Sequence, residues 1–267
     1  MILFLLACVA DEPDCGDPTE SRVALITSLD FARQEENGVS RGFDLDGVDG
    51  TCNKDDLVHP DGTGSIDNAF SHLLPALEAT EAVAINGLLS DSINSGELLL
   101  LPEMTKVDDD LNDECVDVAI WRGEGSPLLG TDGLVLEDQS FGRNTDVDPG
   151  QVTGVSLVDG VVTGGPFEMD LPIQVLDFNS IFSMSQGQLR VEWHDDGTVT
   201  GEFGGAIPIA QILEITNYAI DFGDLLEELL YLAADLDPDE NGDCQSISLT
   251  FTFEGRSAYF YEDSVAP

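Results

Sequence analysis

The sequence predicts an α+β fold, with a mainly antiparallel, sandwich-like β core flanked by several helices. Three observations predict it. Between Val116 and Pro208 apolar and polar residues alternate in short runs broken by Asp-Gly turns. Before and after that stretch, apolar residues recur at helical spacing. The chain has 267 residues, of which 42% are hydrophobic. That is enough to bury a sizeable core, read here as one compact domain over 21–267 with a possible sub-boundary near 105–115.

The elements follow in order. Arg22–Phe31 is a short apolar element whose mixed spacing leaves helix and strand open. Gly42–Asp67 is a long Asp/Gly loop. Ile66–Leu77 reads as a helix, with Ile66, Phe70, Leu73, Leu74 and Leu77 on one face and Pro75 shortening or kinking it. Ala82–Ile93 reads as a second helix, stopped at Asn94-Ser95-Gly96. Leu98–Leu101 suits a buried strand, and Val116–Trp121 alternates in part. Val152–Leu157 and Val161–Thr163 flank Asp159-Gly160, while Leu189–Trp193 and Thr198–Phe203 flank Asp195-Asp196-Gly197; both are hairpin signals. Ala210–Tyr218 and Phe222–Leu236 return to helix, the second with a leucine stripe. Ile247, Leu249, Phe251 and Phe253 alternate as a last strand.

Nine Lys+Arg stand against 53 Asp+Glu, for a net charge of -44. Such a surface repels phosphate backbones, so nucleic acid is excluded as a partner. It also repels itself unless cations gather on it. Divalent ions held in loops, a salty environment, or plain solubility would each account for the charge. Metal loops cluster their acids with Gly and Asn at turn spacing, and many acids here do cluster.

Two stretches carry that pattern. Asp237-Pro238-Asp239-Glu240-Asn241-Gly242-Asp243 places oxygen side chains at alternate positions before a glycine, as a calcium loop requires; Asp237, Asp239, Asn241 and Asp243 are its candidate ligands. The second runs from Asp44 to Asp56, with Asp44, Asp46, Asp49, Asp55 and Asp56 as candidates. Hard oxygen ligands favour Ca²⁺ over Zn²⁺, since only His59 lies near. A third run, Asp108–Glu114, reads as a solvated turn.

The N-terminus ends an apolar run in Leu5-Leu6-Ala7-Cys8, followed by a polar tether over 9–20. This resembles a lipobox, with Cys8 as the lipidated residue. The stretch lacks a basic leading region and is short, so it reads as the remnant of a longer signal segment. Cys15, Cys52, Cys115 and Cys244 then remain for two disulfides in an oxidising compartment, in any of three pairings.

Catalytic signatures such as G-x-S-x-G, a P-loop and H-E-x-x-H are missing from the sequence. His72 reads as structural and His194 as exposed at a hairpin tip. Trp121 and Trp193 read as core, and Gly164-Gly165 and Gly204-Gly205 as turns or bulges.

The Asp237–Asp243 stretch resembles the first half of an EF-hand or dockerin loop, and, with Cys244, the short calcium motif of excalibur domains. It departs from the EF-hand at the twelfth position, where Ser248 replaces glutamate. The Asp44–Asp56 stretch is similar in part to thrombospondin type 3 repeats. As a whole, the Cys8 lipobox, the Phe43-Asp44-Leu45-Asp46-Gly47 loop leading to Ile66-Asp67-Asn68, and Leu236-Asp237-Pro238-Asp239 resemble acidic, aspartate-loop bacterial surface lipoproteins of uncharacterised role. The resemblance implies a lipid-anchored, calcium-binding outer-membrane lipoprotein of the cell envelope, periplasmic or surface-facing. It would act as a non-enzymatic binding or structural module toward a protein or glycan. The alternatives are an exported calcium-dependent hydrolase acting on polysaccharide, and a halophilic acidic soluble protein.

Overall fold

The structure is a computed structural model that describes residues 15, 21–78, 85–175, 178–219 and 223–261. The described residues form ten strands: β1 (Ser21–Phe31), β2 (Leu100–Thr105), β3 (Asn112–Glu124), β4 (Gln139–Arg143), β5 (Gly150–Val158), β6 (Val161–Val175), β7 (Phe178–Trp193), β8 (Thr198–Pro208), β9 (Leu236–Pro238) and β10 (Cys244–Phe260). Eight of them close on themselves in the order β1-β2-β3-β5-β6-β7-β8-β10, with β10 pairing back onto β1 from Val23↔Ala258 to Phe31↔Phe251. Every neighbour in this circuit is antiparallel. Closure leaves no open edge among the eight.

This corrects the expected α+β sandwich. The molecule is mostly β, a closed barrel with few helices. There are four described helices: α1 (Phe70–Glu78), α2 (Ile85–Ser95), α3 (Ile209–Ala219) and α4 (Gly223–Ala233). They occupy only two connections, β1 to β2 and β8 to β9, and the register puts both at one mouth of the barrel. The opposite mouth carries the β2–β3, β5–β6 and β7–β8 turns. The helical spacing is therefore genuine, but it builds a cap on the barrel and no helical layer.

Alternation along the strands explains the core. Val118, Ile120, Val152, Val162, Leu189, Val191, Phe203, Leu249, Phe251 and Phe253 turn inward and are buried together. Eight strands leave an interior just wide enough for side chains to fill. Phe203 and Phe251 meet at 5.3 Å, and Phe31 bridges Phe251 to Phe70 of α1 at 4.6 and 5.0 Å. Leu73, Leu89, Ile93, Leu226 and Leu230 from the helices join the same core, sealing that mouth. Outward positions such as Arg190, Glu192, Thr200, Thr252 and Glu254 are polar.

Both hairpins signalled by Asp-Gly turns form, and Gly160 and Gly197 take the left-handed conformation at their tips (φ 80° and 81°). The first apolar element is strand β1. Pro75 sits inside α1, and α2 ends before Gly96. Gly164-Gly165 lies at a register shift between β6 and β7, and Gly204 and Gly205 face the shift in β7 between Ser185 and Gln188. Trp193 packs against the interior core, and Trp121 against a smaller outer cluster of Leu25, Leu99, Leu101, Val135, Phe141 and Ala258. The Asp108–Glu114 run is the β2–β3 turn. There Asp113 accepts the Asp108 N–H, and Asp109 accepts those of Leu111 and Asn112.

Two disulfides are present, Cys15–Cys115 and Cys52–Cys244. The second ties the aspartate loop between β1 and α1 to the first residue of β10. Cys8 and all of the tether except Cys15 lie outside the described residues.

Candidate functional site

The 39–67 connection is fixed as a small ladder of its own. Leu57 and Ile66 exchange both backbone hydrogen bonds, Ser40 N–H reaches Val58 O, and Asp67 N–H reaches Phe43 O at 2.8 Å. Within that frame the loop doubles back. Asp44 Oδ1 accepts the Gly47 N–H at 2.7 Å, and Gly47 adopts φ 71°, where a side chain would strain the backbone. Asp46 accepts the Val48 N–H and the Thr51 hydroxyl. Residues 44 and 46 therefore project to the same side, over Asp67. One carboxylate oxygen from each of Asp44, Asp46 and Asp67 lies within 4.8 Å of the others.

Asp67 is the buried member, only 3% exposed. Its Oδ2 accepts the Leu45 N–H at 2.7 Å. Burial pushes its carboxyl up to about 7 against that hydrogen bond, and the nearby charges of Asp235, Asp46 and Asp56 add to the rise. Asp235, buried at the end of α4, is pushed up to about 6 by its own burial, although Ser248 N–H and Oγ both donate to it. Asp56 is raised by burial and by Asp49 and Asp46, while Gly50 N–H holds it down. Among the described residues, none of Asp44, Asp46, Asp56, Asp67 and Asp235 forms an ion pair with a basic side chain. Five carboxylates are thus gathered in one partly buried region, with Lys54 on the wall of the adjoining cavity but with no ion pair to any of the five among the described residues.

The sequence candidates separate on this geometry. Asp44 and Asp46 converge with Asp67. Asp49 and Asp56 lie within hydrogen-bonding reach of one another beside them. Asp55 is exposed and lines a neighbouring cavity with Lys54 and Asp235. Asp237, Asp239, Asn241 and Asp243 form an exposed, self-capped turn. There Asp239 Oδ1 accepts the N–H groups of Asn241 and Asp243 at 2.8 and 3.0 Å, and those bonds lower its pKa. Asp237 accepts from Gln186 Nε2 at 2.9 Å. Among the described residues this turn contributes no side chain to a converging group of three.

Asp67 and Asp235 are the site residues that sequence reasoning missed. Asp67 follows an isoleucine at the start of a helix and reads as an N-terminal helix residue. Asp235 follows Ala234 within a stretch read as continuous helix. The aspartate loop and the Asp237–Asp243 turn are nevertheless neighbours: Cys52 bonds Cys244, and Lys54 Nζ reaches Leu232 O at 2.5 Å.

His59 does not join the aspartates. It is buried against the outer wall of the barrel, 3.1 Å from Glu202 Oε1, with Asp61 at 3.0 Å on its other nitrogen. His72 is exposed on α1, and His194 bonds Thr200 Oγ1 at the β7–β8 turn. Comparison with known protein families, curated proteins and solved structures finds no match for this chain.

Proposed function

We propose that Asp44, Asp46 and Asp67 hold a divalent cation, with Asp49 and Asp56 supplying further negative charge. On this reading the chain is an exported, lipid-anchored module stiffened by calcium. The observation that carries it is the convergence of a buried carboxylate with two loop carboxylates, none of them ion-paired to a basic side chain among the described residues. A buried carboxylate left charged and alone is costly, and a bound cation removes that cost. All-oxygen ligands favour a hard ion, and irregular loop geometry with several carboxylates suits Ca²⁺ better than the strict octahedron of Mg²⁺.

The two disulfides support export, because they persist in oxidising compartments. The Cys8 lipobox supplies the anchor in this proposal. Titrating the metal-free chain calorimetrically with CaCl₂ and with MgCl₂ tests the cation. Calcium should bind and Asp67→Asn should abolish the heat; a flat wild-type titration removes the reading. Labelling with a radioactive fatty acid, lost in Cys8→Ser, tests the anchor separately.

A further inference from the structure

A cavity of about 330 Å³ lies between α1 and α4, beside the aspartate loop. That volume lies within the range of small-molecule sites. Asp44, Asp46 and Asp67 do not line it, so it is separate from the site proposed for the cation. The sequence of α4 explains its apolar wall. Leu226 and Leu230, one turn apart, are buried in the barrel core. Leu229, Leu232 and Ala233 form the adjacent stripe of the same helix and line the cavity. Leu73 of α1 and Leu57 of the loop join them. Leu232 is nevertheless 68% exposed. The apolar stripe of α4 is thus wider than the core covers.

Much of the remaining wall is charged. Asp55, Asp56 and Asp235 line it, together with Lys54 and His72. Lys54 is already engaged: its Nζ donates to Leu232 O at 2.5 Å, on the last turn of α4, where a helix end favours a cation. Asp235 lies deep, with its oxygens taken by Ser248 N–H and Oγ, and contributes charge alone. Asp55 and Asp56 differ, because a ligand can reach them. Asp55 is exposed and Asp56 half-buried. The N–H that Asp56 accepts, from Gly50 at 3.0 Å, goes to Oδ2 and leaves Oδ1 without an N–H donor among the described residues.

The two halves of the wall together define the class of ligand. Three carboxylates disfavour an anion. A wholly apolar molecule would strip water from Asp55 and Asp56 and give no hydrogen bond in return. A bare metal ion gains nothing from the leucines, and Asp55 and Asp56 belong to no converging group of three among the described residues. An ammonium group has three donors and no acceptor, which suits two acceptor-only carboxylates. We propose that this cavity binds a primary amine bearing an apolar body. Its ammonium donates to Asp55 and Asp56, and its chain lies on Leu57, Leu73, Leu229 and Leu232.

The test titrates the full chain, with calcium present, against four probes: octylamine, octanol, octanoate and putrescine. The first three share a body and differ in the head group, and putrescine carries charge without the apolar chain. Physiological ionic strength screens general attraction to the acidic surface. Octylamine should bind saturably and at least tenfold more tightly than the other three. Asp56→Asn should weaken it about tenfold, the loss of one charge-assisted hydrogen bond. Leu232→Ser, at an exposed position that does not endanger folding, should weaken octylamine several-fold with an unchanged melting temperature. No octylamine binding, octanol or octanoate binding as tightly, putrescine binding as tightly, or octylamine affinity unmoved in both variants would each overturn the assignment.

Discussion

The Asp67 carboxylate accepts the backbone N–H of Leu45 at 2.7 Å, and this one bond folds Asp44 and Asp46 back over a buried acid. It aligns the loop and leaves the rest of the carboxylate to face its neighbours. A divalent cation placed there would offset most of the charge of three carboxylates and cross-link the strand-to-helix connection.

Calcium should therefore raise the melting temperature, and chelation should lower it. At about 100 times its Kd a ligand stabilises by about 2.7 kcal/mol, roughly 5–10 °C for a domain of this size. Scanning calorimetry in low salt with CaCl₂ or EDTA measures it. Coincident curves would defeat the cation reading, and recovery of the full shift by molar KCl alone would favour general charge screening.

Without metal, stability should fall as pH rises from about 4 to about 7. Asp67 and Asp235 titrate near 7 and 6 in the folded chain, above the ordinary value near 3.8 that applies once unfolded. Between those values the native state holds protons that the unfolded state has released, so raising pH favours unfolding. The contribution is complete below the unfolded pKa and gone above the folded one. Asp67→Asn should flatten that slope and stabilise the metal-free chain at pH 7.5, read by urea denaturation at pH 4.5, 6 and 7.5. A slope identical to wild type would count against Asp67 as its source.

Cys52→Ser with Cys244→Ser should cost about 2–5 kcal/mol, because the bond closes a loop of 192 residues. The loop it releases is also the one bearing Asp44 and Asp46, so calcium affinity should fall as well. Denaturant unfolding and calcium titration of the double variant check the two effects; unchanged affinity would show that the site holds its shape without the bridge.

Arg143 lies between the rings of Trp121 and Phe260, 4.5 and 4.1 Å from their centroids, with both oxygens of the buried Glu103 on its Nη2. Arg143→Ala should destabilise by about 2 kcal/mol through the lost stacking and the stranded acid, and Glu103→Gln in the same chain should recover part of it. Thermal unfolding of the two variants measures this. Full additivity would deny the coupling.

Local alternation located the hairpins at Asp159-Gly160 and Asp195-Asp196-Gly197 and the final strand around Phe251, because burial on one face of a strand is written every second residue. Helical spacing placed α1 to α4 within a few residues. Asp44 and Asp46 were also legible, since a two-residue step before a glycine is a local signal. The long β6–β7 ribbon was not, because Gly164-Gly165-Pro166 and the irregular 173–188 stretch interrupt its period. Glu202 was hidden for a related reason: on an alternating strand an outward acid looks solvated, and only the 57–63 segment laid over it makes it buried.

By itself the sequence determined the alternation, the turns, the charge imbalance and the aspartate spacing, all properties of neighbours in the chain. Tertiary structure decided the closure of β10 onto β1, the Cys52–Cys244 pairing, and the meeting of Asp67 with Asp44 and of His59 with Glu202. Each of these joins residues brought near only when burial of the shared apolar interior outweighs the entropy of closing long loops.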